Sequence, residues 1–187
     1  MERAEAEASA PHLREGFLAR RRLLRRAVGL RLGASPGDVL IARDAQGAPR
    51  VTSAREPIFV SLAARGELVA IALSDRPVGV DVEPIEATAA PAWNILHPGE
   101  RDWLRAQRAE EQAEKFLALW CIKEAYLKAI GLGLRREPAK IAVNFFDGAD
   151  RISVEDAGRV VALDSAFVTR TEAHGVPAVV ACVVLVR

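Results

Sequence analysis

The chain has 187 residues, of which half are hydrophobic and 27% charged, and its formal net charge is +1. This length allows one good core or two small ones, and this composition excludes wholesale disorder. No apolar run approaches the roughly 20 residues of a membrane span, and the charged start MERAEAEASA lacks the apolar centre of a signal peptide, so a cytoplasmic protein with no membrane partner is expected.

The charge is unevenly spread. Residues 1–80 carry 13 basic and 9 acidic groups, residues 81–130 carry 6 and 9, and the remainder 7 and 7. A basic first part facing an acidic middle suits an anionic ligand on one side and a metal on the other, and equally suits a solvated charged surface. Near-zero net charge and sparse aromatic residues argue against a nucleic-acid partner. Cys121 and Cys182 lie in apolar segments without metal-type spacing and are expected in the core.

Residues 12–32 read as a helix, with Leu13, Phe17, Leu24 and Val28 at helical spacing and Gly33 ending it. Arg21 falls about 40° from the centre of that stripe. An arginine there needs an acid partner or a bound anion, or else snorkels to solvent. A strand is expected over Val39–Arg43, then a turn at Gln46–Pro49, then a hairpin of Ile58–Ala63 and Leu68–Leu73. These elements and the next strand are expected to form a first sheet with the helix packed on it.

That next strand is VGVDVE, Val78–Glu83. Alternation puts Val78, Val80 and Val82 on one face and Gly79, Asp81 and Glu83 on the other. Two neighbouring carboxylates in a half-buried place repel unless a cation sits between them, and a hard divalent ion with oxygen ligands is the natural occupant. An exposed edge strand with charged outer positions is the alternative.

Prolines at 84, 91 and 98 suggest a crossover. Pro98-Gly99-Glu100 reads as a helix start with Trp103 and Leu104 as apolar anchors, and a longer helix is expected over Glu110–Ile130, ended by Gly131 and Gly133. Its stripe is Phe116, Trp120 and Leu127. Glu124 lies about 40° from the stripe centre and Lys128 about 80° on the same side, with Lys123 on the other flank. An exposed Glu124–Lys128 pair is one reading and a functional carboxylate at the edge of a buried stripe is the other. Strands follow at Ile141–Phe146, Arg151–Val154, Arg159–Val168 and Pro177–Val186, the last apolar enough to be central.

PVGVDVE followed by FLALWCIKEAYLKAIGLGL resembles the paired signatures of the 4'-phosphopantetheinyl transferases, specifically the monomeric type that activates surfactin synthetase. Trp120, Lys123-Glu124-Ala125, Lys128-Ala129, Gly131, Gly133 and Leu134 fit the second signature. FLARRRLLRRAVGLRLGA and HPGERDWLRA are similar to the family's early arginine helix and to the helix before the second motif. The resemblance implies transfer of phosphopantetheine from coenzyme A to a serine of an acyl or peptidyl carrier protein, with Mg2+ and release of 3',5'-ADP. It implies that Asp81, Glu83 and Glu124 hold the ion, that Glu124 is also a candidate to help deprotonate the serine hydroxyl directly or through water, and that Lys128 neutralises phosphate charge. Arg21 would reach the nucleotide phosphates, with Ser61 and, as a lesser candidate, Lys123 as further coenzyme contacts.

The chain departs from the family pattern at two places. Gly47-Ala48-Pro49 stands where members usually have Gly-Lys-Pro, and Phe59-Val60-Ser61-Leu62 where they usually have Asn-x-Ser-His. Each lost charge-assisted bond is worth roughly 1.5–3 kcal/mol of coenzyme binding unless Arg50, Arg55 or Arg65 compensates. These departures motivate an alternative: a catalytically weakened relative that binds a carrier protein or a nucleotide. The expected fold is α+β, a pseudo-twofold pair of similar subdomains, each a helix on a small antiparallel sheet, in a monomer. The expected division is residues 1–84, a linker at 85–98, and residues 99–187, with coenzyme A between the halves.

Overall fold

The computed structural model describes residues 11–85, 90–146 and 151–186. The N-terminal stretch 1–10 and residues 86–89 of the expected crossover lie outside the described residues. Two compact units are present, Met1–Ile58 and Phe59–Arg187. This division differs from the one expected at residues 85–98, because strand VGVDVE is hydrogen-bonded to a strand near the C-terminus.

The first unit holds α1 (Pro11–Leu32) and a short antiparallel ladder of β1 (Ile41–Arg43) with β2 (Pro49–Val51). Leu24 and Val28 of the predicted stripe are buried, as is Arg21. The turn between β1 and β2 is closed by Asp44, whose carboxylate accepts from the backbone N–H of Gln46 and of Ala48.

Among the described residues the second unit carries three separate sheets. β3 (Phe59–Arg65) and β4 (Leu68–Ser74) form a hairpin. β5 (Val78–Pro84), β10 (Val176–Leu185) and β9 (Leu163–Ala173) form an antiparallel sheet in the order β5-β10-β9. β6 (Ile141–Phe146), β7 (Arg151–Asp156) and β8 (Arg159–Val160) form the third. The α+β class holds, and β10 is central as its apolar run predicts. The single first sheet does not form, because β5 takes β10 as its partner, with Asp81 opposite Ala181 and Gly79 opposite Val183.

Both faces of β5 are covered, which its alternation alone did not predict. Val78, Val80 and Val82 pack with Ala63, Leu68, Ala178 and Cys182. The other face meets α3 (Ala109–Ala129), which follows the short helix α2 (Pro98–Arg105). From Leu117 onward α3 is enclosed on nearly every side: Leu117, Leu119, Cys121, Ile122, Lys123, Ala125, Tyr126 and Leu127 are all buried. Of the expected stripe only Leu127 is fully buried, while Phe116 and Trp120 are partly covered. A helix touching β5, β6, β9, β10 and α2 has no single buried stripe, so the three-residue pattern underestimated its burial. Both cysteines are buried and free, as expected.

Gly79 permits this enclosure. A Cβ at position 79 would lie 1.8 Å from the carbonyl oxygen of Ala125 and 2.8 Å from the nitrogen of Ala129, both backbone atoms of α3. Strand and helix therefore meet backbone to backbone, a contact that no larger residue allows. Gly79→Ala is expected to cost at least about 3 kcal/mol or to prevent folding. Gly37→Ala, whose new methyl meets only the Ser35 hydroxyl at 3.7 Å, is expected to be near neutral. Urea melts of the two variants check this.

Candidate functional site

The close approach of β5 and α3 brings the predicted acids together with two cations. Asp81 is buried, and its Oδ1 accepts from Lys128 Nζ at 2.7 Å. Lys128 also donates to the carbonyl oxygen of Val80 at 3.0 Å, so it is tied to the strand at two points. Glu83 accepts from Nε of Arg65, which lies 2.9 Å from one carboxylate oxygen and 3.0 Å from the other. Glu124 projects from α3 into the same electrostatic neighbourhood. Burial, then the Asp81 carboxylate, raise its pKa above the ordinary 4.5, while Lys128 and Arg65 oppose the rise. Cys121 on the same helix is next to Asp81, and burial followed by the carboxylates Asp81 and Glu83 drives its thiol pKa well up, leaving it inert.

Two oxygens in this cluster, Asp81 Oδ2 and Glu124 Oε1, are buried with no hydrogen-bond partner. Such atoms cost about 1–3 kcal/mol each and are rarely retained without a use. Among the described residues no three acids, histidines or cysteines are gathered closely enough to hold an ion as they stand. Arg65 and Lys128 instead engage Glu83 and Asp81. The donor set still fits a hard divalent cation: all oxygen, anionic, and with two lone oxygens already dehydrated.

Lys123 corrects one expectation. Its side chain is fully buried, and Nζ donates to the carbonyl oxygens of Ile95 at 3.1 Å and Pro138 at 2.9 Å, with Glu100 Oε2 at 2.6 Å. All three ammonium protons are engaged, so none remains for a coenzyme phosphate. Glu100 is equally committed, accepting the backbone N–H of Val143 through Oε1 and that of His97 through Oε2. The helical spacing of Lys123 and Glu124, about 100° apart, turns one inward and the other toward the site.

Ser61 is also tied to the fold. It is buried, and its Oγ accepts from the backbone N–H of Val80 at 3.1 Å, which satisfies the free edge of β5. Arg21, in the first unit, is buried with its guanidinium 5.3 Å from the centre of the Phe17 ring, while Arg43 lies 5.4 Å from the same ring. Sequence reasoning gave Glu100 only a place at a helix start, although Glu100 three residues after His97 completes a capping box that also seats the buried lysine. It also read Arg65 only as one of several substitute cations.

Two outcomes follow. Lys123→Ala leaves Glu100 buried without its cation and is expected to lose about 3–5 kcal/mol of stability in urea melts; a lysine waiting for a phosphate would lose almost none. For Glu124 the sign follows from its raised pKa. The folded protein binds this proton more tightly than the unfolded chain, so the contribution of Glu124 to stability is fully present below 4.5 and is lost as pH climbs through the raised value. Glu124→Gln is therefore expected to melt above wild type at pH 8, with the gap closing as pH falls toward 4.5.

The profile of the 4'-phosphopantetheinyl transferase superfamily matches residues 77–174, just over half of the chain and the whole of β5, α2 and α3. Curated relatives agree. The chain is 38% identical over 78 residues to 4'-phosphopantetheinyl transferase gsp of Aneurinibacillus migulanus, covering 41% of this chain and 33% of that protein. It is 31% identical over 140 residues to 4'-phosphopantetheinyl transferase HetI of Nostoc sp., covering 71% and 59%. It is 25% identical over 134 residues to a 4'-phosphopantetheinyl transferase of Bacillus subtilis, again covering 71% and 59%. The chain thus spans from a third to about three-fifths of the length of these relatives. Among solved structures, the crystal structure of Thermotoga maritima holo-[acyl-carrier-protein] synthase overlaps in part, with a TM-score of 0.43 and 19% identity over 59% of this chain and 64% of that one. From its sequence match across β5, α2 and α3, the chain belongs to the 4'-phosphopantetheinyl transferase superfamily.

Proposed function

We propose that the protein transfers the 4'-phosphopantetheine group of coenzyme A to a serine of an apo acyl or peptidyl carrier protein, as a monomer and with Mg2+. The observation that carries this reading is the pair of partnerless buried oxygens, Asp81 Oδ2 and Glu124 Oε1, beside Lys128. Asp81, Glu83 and Glu124 would hold the ion, which when bound neutralises charge on the coenzyme's pyrophosphate.

The chain's own groups supply the rest. The serine oxygen forms a bond to phosphorus, the bond to the bridging pyrophosphate oxygen breaks, and 3',5'-ADP leaves with the electron pair. The serine proton passes to Glu124, directly or through water. A carboxylate whose proton affinity is raised by burial is better suited to that task than an exposed one. Lys128, anchored to Asp81 and the Val80 carbonyl, presents a fixed positive charge to the phosphates. Arg21 remains the proposed contact for the nucleotide phosphates, and the Ser61 hydroxyl, which only accepts from Val80 N–H, keeps a proton to donate, whereas the three ammonium protons of Lys123 are all engaged.

A second reading, a weakened relative that binds a carrier protein or nucleotide without turnover, is favoured by Ala48 and Leu62 standing where the family usually has Lys and His. Purified protein, coenzyme A, Mg2+ and an apo carrier are expected to yield a carrier heavier by one phosphopantetheine in intact-protein mass spectra. Glu124→Gln and Asp81→Asn are expected to lower the rate by about a hundredfold or more. No mass gain across a broad panel of apo carriers, together with tight carrier binding and no calorimetric coenzyme A signal, would establish the second reading instead.

A further inference from the structure

The three acids of the cluster are not equivalent. Asp81 Oδ2 and Glu124 Oε1 are buried without a partner, whereas Glu83 has both oxygens engaged by one atom, Nε of Arg65. Nε sits nearly equidistant from the two oxygens, at 2.9 Å and 3.0 Å, which is where a chelated cation would sit on that carboxylate. The two cations also differ in how they are held. Lys128 has a second anchor on the Val80 carbonyl and a side chain 28% exposed; Arg65 leaves the end of β3 with a side chain 59% exposed, over a Glu83 that is only 12% exposed. The negative charges of Glu83, Asp81 and Glu124 all act on it.

We propose that Arg65 is the resident counter-cation of the acid cluster, that a divalent ion displaces it from Glu83, and that the released guanidinium then binds a phosphate of the incoming coenzyme. This rests on the function proposed above. The exchange is chemically matched, because a guanidinium pairs with carboxylate and phosphate through the same planar fork of donors. It is also physically easy: an ion pair with one partner this exposed contributes little stability, so the arm leaves Glu83 at small cost. Lys128, doubly anchored, stays in place. Ion entry and phosphate capture are thereby linked, since the first frees the group that performs the second.

The test uses Arg65→Gln, which removes the charge at an exposed strand end without disturbing the core. Mn2+ alone, titrated by electron paramagnetic resonance, is expected to bind Arg65→Gln about fivefold more tightly than wild type, because its competitor on Glu83 is gone. Coenzyme A, titrated calorimetrically at saturating Mg2+, is expected to bind the variant about tenfold more weakly, with Arg65→Lys between the two. Equal or weaker Mn2+ binding by Arg65→Gln, including no binding by either protein, overturns the displacement. Unchanged coenzyme A affinity overturns the capture. Failure of the function itself is distinguished by the wild type, which would then modify no carrier; a wild type that modifies carriers while Arg65→Gln binds Mn2+ unchanged sinks only the role of Arg65.

Discussion

The backbone contact between β5 and α3 at Gly79 is the constraint on which the rest of the site depends. With the Ala125 carbonyl where a Cβ of residue 79 would lie, no side chain can separate strand from helix at that level. The next inward position on the same strand face is Asp81, and it is forced against the helix turn that carries Cys121, Glu124 and Lys128. This geometry dehydrates the carboxylates. Dehydration strengthens every charge interaction among them, which explains why both resident cations are drawn in.

The opposite side of α3 is held by a different device. Lys123 and Glu100 form a fully buried ion pair that ties α3 to the start of α2 and, through the Ile95, Pro138 and Val143 backbone groups, to the segments around β6. Pairs of this kind add little net stability relative to an apolar core but penalise any arrangement that separates the partners. Here such a pair sets the rotation of the helix about its axis. With Lys123 locked inward, Glu124 is carried about 100° round to face β5. Adjacent residues of one motif thus have opposed duties, one fixing the helix and the other presenting a carboxylate.

Much of the local structure was legible from the sequence. The hairpin of β3 and β4, the alternation in VGVDVE, the bounds of α3 and the central character of β10 all follow from periodicity and turn chemistry, which are local. Strand partnership was not legible. Nothing within seven residues of β5 states that Asp81 will lie opposite Ala181, a pairing settled by two buried faces meeting at long range. The same limit explains Ser61 and Lys123. Each has a polar side chain that sequence alone cannot distinguish from a ligand contact. Their actual partners, the Val80 N–H and the carbonyls of Ile95 and Pro138, come from segments distant in the chain. Residue type drew attention to the acids, because carboxylates this costly to bury stand out against an apolar background; it could not tell which cations would be committed to structure.

The pattern of satisfied and unsatisfied atoms separates the two classes. Around Lys123 every donor and acceptor of the pair is engaged, as expected of a polar group whose task is to hold the fold. Around Asp81 and Glu124 the same protein leaves two carboxylate oxygens dehydrated and partnerless, with Glu124 next in sequence to the fully satisfied Lys123. A fold able to complete one buried charge network could have completed the other, or replaced it with apolar residues at no loss of stability. Folding alone therefore gives no reason to keep these oxygens. The function proposed above would use them to hold a cation, with Lys128 and Arg65 limiting the repulsion among the acids meanwhile.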